Sequence, residues 1–589
     1  MSQGTVPELL DEVVKAHADS SAYRYKKDGR WVDISWSECR VQVSRIARGL
    51  MAFGVKQGDR VGILGATRLE WILTDFGISC AGAATVGIYP SNLAADCAHI
   101  VNHADIEVLF VENADQLSKI VAEKENLPNL REVVIWDGDA SSEALDWSRF
   151  LEKGDTVDAG QLTERSNAIK PDDLASLVYT SGTTGVPKGA MISHKNLVFT
   201  SWSIRQSMFS RPDYVALLFL PLAHVFARMI VYANLQSGTT IAIAEDLTKV
   251  AENMREIRPH TIPSVPRIFE KVYCKILSDV EAAGGMKKRI FDWAISVGRR
   301  VSRLKQQKRP ISALLAIQNT LADKLVFHKI QAVFGGRLEY AVSGAAPLNK
   351  DIAEFFHACG VLILEGIGMT ENTSFSNLNL IDNNKFGTVG PAGQGIEVKI
   401  GEDGEVLFRG DNIMQGYFKN PEATAKTFDD DGWLLSGDIG EIDEDGFLKI
   451  TDRKKDLIIT AGGKNIAPQR IERIMRTSYY IAQMMAYGDR KRYIAALVTL
   501  EPEALAEWAQ ANGANGGGVE ELSKDPRVCE LIQAEVDERN KQLASYETVK
   551  KFHILPGQFT IEGGELTPTQ KLRRKAIAER YRAELEALF

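Results

Sequence analysis

From residue 59 onward, short apolar runs alternate with helical patterns, and that alternation leaves few folds open. Residues 59–64 (DRVGIL) read as a buried strand, 68–80 as a helix and 84–89 (ATVGIY) as the next strand; 107–111 (EVLFV) and 132–136 (EVVIW) continue the series. Continuous apolar runs mark strands covered on both faces, so the sequence predicts an α/β fold of layered, largely parallel sheets under helices. The pattern then changes twice. Residues 395–450 break into short strands separated by Gly, Asp and Asn turns, as around Glu405-Val406-Leu407-Phe408-Arg409, which predicts a small β subdomain at about 390–454. A different α+β pattern follows, so a large N-terminal domain over 1–454 and a smaller, mobile C-terminal domain over 455–589 are expected.

Composition removes several classes of function. A formal charge of -8 on 589 residues argues against nucleic acid as the main partner. The six cysteines stand singly, with no CxxC pair, which points away from zinc or a disulfide framework and toward a reducing, cytoplasmic compartment. Acidic residues interrupt the first apolar run, unlike a signal peptide. The longest apolar run, 214–223, is about half the roughly 20 residues that a spanning helix needs. Residues 287–309 are helical in pattern and basic, with Asp292 the single acid and with Phe291, Trp293, Ile295, Val297, Val301 and Leu304 interleaved. That segment reads as a solvated helical face or as a membrane-surface helix giving peripheral contact at the inner face of a membrane.

The strongest local signal is Thr180-Ser181-Gly182-Thr183-Thr184-Gly185-Val186-Pro187-Lys188-Gly189, directly after the apolar run 174–179. It falls at the C-terminal edge of a predicted strand, where α/β sheets place ligands. Glycines let backbone N–H groups close around phosphate oxygens, hydroxyls add donors, and Lys188 adds charge. The Gly-Lys-Ser/Thr of the Walker loop is absent. Six further segments carry polar or small residues in turn-like settings: Pro221-Leu222-Ala223-His224-Val225-Phe226, Ser343-Gly344-Ala345-Ala346-Pro347, Glu365-Gly366-Ile367-Gly368-Met369-Thr370-Glu371, Trp433-Leu434-Leu435-Ser436-Gly437-Asp438, Arg453-Lys454-Lys455 with Gly462-Gly463-Lys464, and Leu566-Thr567-Pro568-Thr569-Gln570-Lys571. Taken singly, His224 is also compatible with a satisfied core histidine, and Asp438 with a structural turn.

In order and content these segments resemble the AMP-forming adenylate ligases, the superfamily of acyl-CoA synthetases, luciferase and peptide-synthetase adenylation domains, over nearly the whole chain. Pro263-Ser264-Val265-Pro266-Arg267 looks like the long-chain version. The resemblance implies ATP, Mg2+ and coenzyme A as the small molecules used and a fatty acid as the acid partner. It implies that Thr180, Ser181, Gly182, Thr183, Thr184, Gly185 and Lys188 hold the phosphates, and that Gly344, Ala345, Ala346, Gly368 and Met369 border the nucleotide. His224, Val225 and Gly344 would border the carboxylate and acyl chain. Thr370 would contact the α-phosphate, Glu371 with Thr184 the metal, and Asp438 and Arg453 the ribose. Lys455 would be the hinge, and Gly462, Gly463 and Lys464 would line the coenzyme A path. Lys571 would bridge carboxylate and α-phosphate. The sequence departs from the family pattern at Ile367, where most relatives carry an aromatic, and at Gln570, where the usual residue is Gly.

So read, the chain is expected to activate a long-chain fatty acid as acyl-AMP and pass it to coenzyme A. A fatty acyl-AMP ligase loading a carrier protein, a medium-chain or aromatic acid–CoA ligase, a peptide-synthetase adenylation module and a non-catalytic sensor of the same fold remain as alternatives at this stage.

Overall fold

The structure, a computed structural model, describes residues 3–180, 187–208, 210–461, 464–514, 518–567 and 569–589. Among these, the N-terminal domain carries two mainly parallel sheets. The seven-stranded sheet runs Leu145–Asp146, Glu132–Asp137, Val108–Asn113, Arg60–Leu64, Ala84–Ile88, Leu174–Thr180, Lys188–Ser193, with only the last pair antiparallel. The strands expected from the apolar runs are therefore all present and adjoin in one sheet. The eight-stranded sheet runs Asn377–Leu378, Ile363–Ile367, Tyr340–Ser343, Thr261–Ser264, Val215–Leu218, Thr240–Ile243, Ser21–Lys27, Arg30–Ser35, antiparallel only at its two edges.

Helix Leu69–Cys80 is apolar nearly all round, and every residue but Glu70 is buried, as a helix packed on several sides requires. Its one buried acid is answered across the core. Asp75 takes Arg228, on helix Val225–Ser237, at 2.7 Å through Nη2 and 3.3 Å through Nε. The Tyr232 hydroxyl donates to Asp75 Oδ2 at 3.0 Å, and Arg228 also donates to Ser176 Oγ on strand Leu174–Thr180. The ion pair thus bolts two helices and the seven-stranded sheet together at the floor of the domain.

The β subdomain is a four-stranded antiparallel sheet of Glu397–Ile400, Glu405–Arg409, Leu434–Ile442 and Leu448–Arg453. Beyond it the C-terminal domain builds cores of its own. Ile471, Met475, Ile494, Ala496, Val498, Ile532 and Val536 form one around the strands Ile481–Tyr487, Ile494–Leu500 and Val549–Ile554. Leu497, Leu555, Phe559, Leu566 and Ile577 form another on the opposite side.

The basic segment becomes the helix Gly285–Gln306. Its apolar residues Phe291, Ile295, Val297 and Val301 are buried against the main core, and the cationic side faces solvent. The apolar stripe of this helix is turned inward and is not free to enter a lipid surface.

The Asp75–Arg228 pair is desolvated, so losing one partner strands a buried charge. Arg228→Met should lower the unfolding free energy by about 3–5 kcal/mol in urea titrations, and Asp75→Asn added to Arg228→Met should recover part of that loss. A double variant no better than the single would show that packing, not charge, dominates there.

Candidate active site

The candidate residues collect where parallel strands end. His224 follows Val215–Leu218, Gly344 follows Tyr340–Ser343, and Thr370 follows Ile363–Ile367. Ligands in open α/β sheets sit at these carboxyl edges. Of the glycine- and hydroxyl-rich segment, Ser181, Gly182, Thr183, Thr184 and Gly185 lie outside the described residues, as do Gly462 and Gly463. Its two ends are described: Thr180 and Lys188 are directly opposed in an antiparallel pair, so the loop leaves and returns at one point on the sheet edge.

From that point a short chain of contacts leads to the proposed metal ligand. Lys188 Nζ lies 5.0 Å from the centre of the Tyr417 ring, and Tyr417 Oη donates to Glu371 Oε1 at 2.6 Å. Tyr417 is held by the strand that leaves the loop: Met191 N donates to Gly416 O at 2.9 Å and Phe418 N to Gly189 O at 2.8 Å. Sequence reasoning missed Tyr417, because it stands in an ordinary turn and gains its place only through this long-range pairing.

Glu371 is itself fixed by the turn around it. Thr370–Asn372 is a single 3-10 turn in which all three residues are buried. Met414 N donates to Glu371 O at 2.9 Å, and Thr373 Oγ1 to Asn412 O at 2.6 Å. The turn can close only over a glycine, since a Cβ on Gly368 would stand 2.0 Å from Ser374 O. Thr373 and Ser374 follow with φ of 53° and 69°, and Ala345 of the small-residue loop has φ 67°. Left-handed backbone at non-glycine positions is costly and gathers at functional sites. The loop of Gly344, Ala345 and Ala346 is tied down by Glu365, whose Oε2 accepts from Leu348 N at 2.7 Å; burial pushes this carboxyl up to about 7.

His224 caps helix Val225–Ser237: its Nδ1 accepts from Phe226 N at 3.1 Å. Accepting at Nδ1 leaves the proton of the neutral ring on Nε2. Desolvation, and then the nearby Lys571 charge, bring the imidazole down to about 4, so the ring is neutral and an N–H donor.

Asp438 and Arg453 face each other on neighbouring antiparallel strands, and Arg453 Nε donates to Asp438 Oδ1 at 2.8 Å. Lys571 reaches this pair from the C-terminal domain. Its turn closes on itself, with Thr567 N donating to Lys571 O at 2.9 Å, Lys571 N donating to Thr567 Oγ1 at 3.0 Å, and Leu566 bridging Leu572. Arg574 clamps the turn to helix Pro468–Met475 through a two-pronged pair with Glu472 at 2.8 and 2.6 Å. Gln570 has φ 59°, the left-handed conformation that a glycine adopts without cost, so the departure at this position keeps the backbone shape that glycine would give. The Lys571 side chain lines an open cleft within a large mass of protein. Desolvation, then Arg453, bring its amine down to about 8, against the opposing pull of Asp438 and Glu371.

An apolar channel leads away from this point. Its mouth is lined by His224, Phe226, Gly344, Ala345, Ile367, Gly368 and Phe375. Ile204, Met208, Ile230 and Val342 border both the mouth and an adjoining cavity that continues to Ala233, Ile241, Ile262 and Tyr340. Val225 was expected beside the acyl chain, but it is buried in the core beneath this wall, and its neighbour Phe226 takes the lining position.

Lys464 is not brought to the cleft; its amine lies over the Tyr546 ring within the C-terminal domain. Lys455 is exposed at a changeover. Lys454 pairs with Asp403 and Glu405 of the β subdomain at 2.6 and 2.9 Å, whereas Asp456 accepts from Gln469 at 3.0 Å on the C-terminal side. The two domains also meet along helix Pro266–Ala283, where Arg267 and Lys271 pair with Glu501 at 2.7 and 3.2 Å and Lys275 with Glu507 at 2.9 Å.

Comparison with known proteins places this geometry. The profile of the AMP-binding enzymes matches residues 10–418, and that of the AMP-binding enzyme C-terminal domain matches residues 455–589. The chain is 39% identical over 587 residues to the long-chain-fatty-acid–CoA ligase FadD15 of Mycobacterium bovis, covering 99% of this chain and 97% of that one. It is 32% identical to the long-chain-fatty-acid–CoA ligase ACSBG2 of Xenopus laevis, covering 99% and 84%. Among solved structures, the adenylation domain of a carboxylate reductase from Mycobacterium chelonae superposes with a TM-score of 0.77 at 24% identity, covering 99% and 91%, and supports the fold. By the extent of these matches, the chain belongs to the AMP-binding enzymes.

Proposed function

We propose that this protein is an ATP-dependent long-chain fatty acid–CoA ligase that works through an acyl-AMP intermediate. The observation that carries the reading is the Lys571 amine, delivered from the C-terminal domain to a cleft that joins Asp438, Arg453 and Glu371 on one side to His224 and an apolar channel on the other. Relatives that match over 97–84% of their own length are named as long-chain-fatty-acid–CoA ligases.

In the first half-reaction a carboxylate oxygen attacks the α-phosphorus of ATP in line, forming the acyl–phosphate bond as the bond to pyrophosphate breaks. Lys571 and Thr370 hold the charge that builds on the phosphoryl oxygens, and His224 Nε2–H orients the carboxylate. No nucleophilic side chain is needed, because such transfer rests on position and charge. Asp438 and Arg453 seat the ribose, and Gly344, Ala345 and Ala346 border the base. Magnesium fits at Glu371: a buried carboxylate with one oxygen held by Tyr417 offers the hard donor that this ion takes alongside phosphate oxygens. When bound, the ion neutralises phosphate charge. In the second half-reaction the C-terminal domain turns about Lys455 and withdraws Lys571. Lys464 and its two preceding glycines then border the path of the coenzyme A thiol, whose sulfur displaces AMP from the acyl carbonyl. The ion pairs of Glu501 and Glu507 hold the first of these two orientations.

The defining test is AMP release from ATP with a panel of acids and free coenzyme A. Long-chain acids should give acyl-CoA; acyl-AMP without thioester would make the protein an acyl-AMP ligase instead. Lys571→Ala should slow pyrophosphate exchange by about 10²-fold or more. Because a lysine lowered to about 8 loses its charge as pH rises through that value, kcat/KM of the first half-reaction should fall above it. Lys571→Arg should abolish the fall, since guanidinium stays charged; a profile unchanged by Lys571→Arg would remove Lys571 as its source.

Charge reversal at the domain contact, Glu501→Lys, should lower adenylation about threefold to tenfold and spare thioester formation from supplied acyl-AMP, with Arg267→Glu restoring adenylation. Failure of that rescue would mean that the pairs do not set the orientation. In the wall shared by the two cavities, Ile230→Trp should cut kcat/KM for long acids by roughly tenfold or more and leave short acids little affected. Equal loss for both would place the acyl chain elsewhere.

A further inference from the structure

Immediately after the basic helix, the chain makes a second, quite different helix, Ala313–Ala322. Its ten residues, ALLAIQNTLA, contain no charge. Leu315 and Ala322 pack inward, but Leu314 and Ile317 are each 68% exposed, Leu321 49%, and Leu325 in the following turn 43%. Positions 314, 317 and 321 follow the three-and-four spacing of one helical face, and 325 continues it. The result is a continuous aliphatic ridge turned to solvent, where a soluble surface helix would place polar residues.

Cations flank both ends of the ridge. Lys308 and Arg309 stand in the turn that enters it, Arg300 and Arg303 on the neighbouring helix, and Lys324 and Lys329 where it ends; all six are exposed. Among the described residues, none of these six side chains makes a hydrogen bond or an ion pair. From Gly284 to Lys329 the acids are Asp292, on the neighbouring helix, and Asp323, which is half-buried and accepts from Gln331 at 3.1 Å.

We propose that the ridge of Leu314, Ile317, Leu321 and Leu325, with its basic flanks, is a docking surface for an anionic lipid bilayer. Charge complementarity selects this occupant. A protein-binding patch concentrates aromatic residues and keeps charge out of its centre but finds partners for charge at its rim. Here the apolar side chains are aliphatic, and six exposed, unpaired cations stand around them against the half-buried Asp323, as in helices that lie in the interface of acidic membranes. The basic helix Gly285–Gln306 contributes charge and not insertion, since its apolar side is already buried in the core. Docking by this surface is independent of the catalytic reading: it involves none of the cleft residues.

The test is co-sedimentation of the full chain with vesicles of phosphatidylcholine alone and of phosphatidylcholine mixed with phosphatidylglycerol. The protein should bind the mixed vesicles, weakly the neutral ones, and less as salt rises. Leu314→Glu with Ile317→Glu should weaken binding to mixed vesicles by roughly tenfold or more, and so should Lys308→Glu with Arg309→Glu. Both pairs should leave pyrophosphate exchange with a soluble short-chain acid unchanged, which establishes that the fold survives. Equal binding to both vesicle types, no binding to either, or mixed-vesicle binding untouched by the Leu314/Ile317 pair would overturn the proposal. So would sedimentation of the wild type as a dimer that the Leu314/Ile317 pair converts to monomer without loss of vesicle binding, since the ridge would then belong to a second copy of the chain.

Discussion

In the proposed reaction Lys571 would serve the cleft only with the C-terminal domain closed on the N-terminal one, because the groups around its amine, Asp438, Arg453, Glu371 and His224, all belong to the other domain. Placing an ammonium in a cleft beside a guanidinium is unfavourable unless carboxylates answer it, and the balance struck here lowers the amine to about 8. In the proposed reaction the triphosphate of ATP would supply the missing negative charge. The ion pairs that join helix Pro266–Ala283 to the C-terminal domain are all partly exposed, so each is weak on its own.

The fold was legible wherever burial alone decided it. The apolar runs at 59–64, 84–89, 107–111 and 132–136 became neighbouring parallel strands because residues covered on both faces have no polar alternative to display. Short local patterns singled out the turn around Thr370 and Glu371 and the lysine at 571, and the structure brings these residues to one cleft. What escaped depends on residues distant in sequence. Tyr417 reaches Glu371 from 46 positions away; Glu365 was quoted as part of a motif but its hold on the small-residue loop required the packed strands; Val225 and Phe226 are adjacent in sequence, and only the rotation of their helix decides which one faces the channel. Likewise the sequence pattern drew attention to the basic helix, whereas the unpartnered apolar surface lies on its uncharged neighbour, a distinction that hangs on which face the core had already claimed.

The two departures from the family pattern are of different kinds. Ile367 lines the mouth of the channel and is half-buried, so it replaces a flat stacking surface by an aliphatic one and leaves the turn untouched. Gln570 retains the unusual backbone geometry at a cost on the order of 1 kcal/mol, which the paired turn around Thr567 and the Arg574–Glu472 clamp hold in place.

The Tyr417 bridge has a mechanical implication. One phenol spans the gap between the strand leaving the phosphate-side loop and the acid at Glu371, and its own backbone is stitched to that strand on both sides. A displacement of either end is felt at the other through a single rigid ring. With nucleotide and cation bound as proposed, their occupancies would share one mechanical coordinate, and whichever ligand arrived first would leave less disorder for the next to remove.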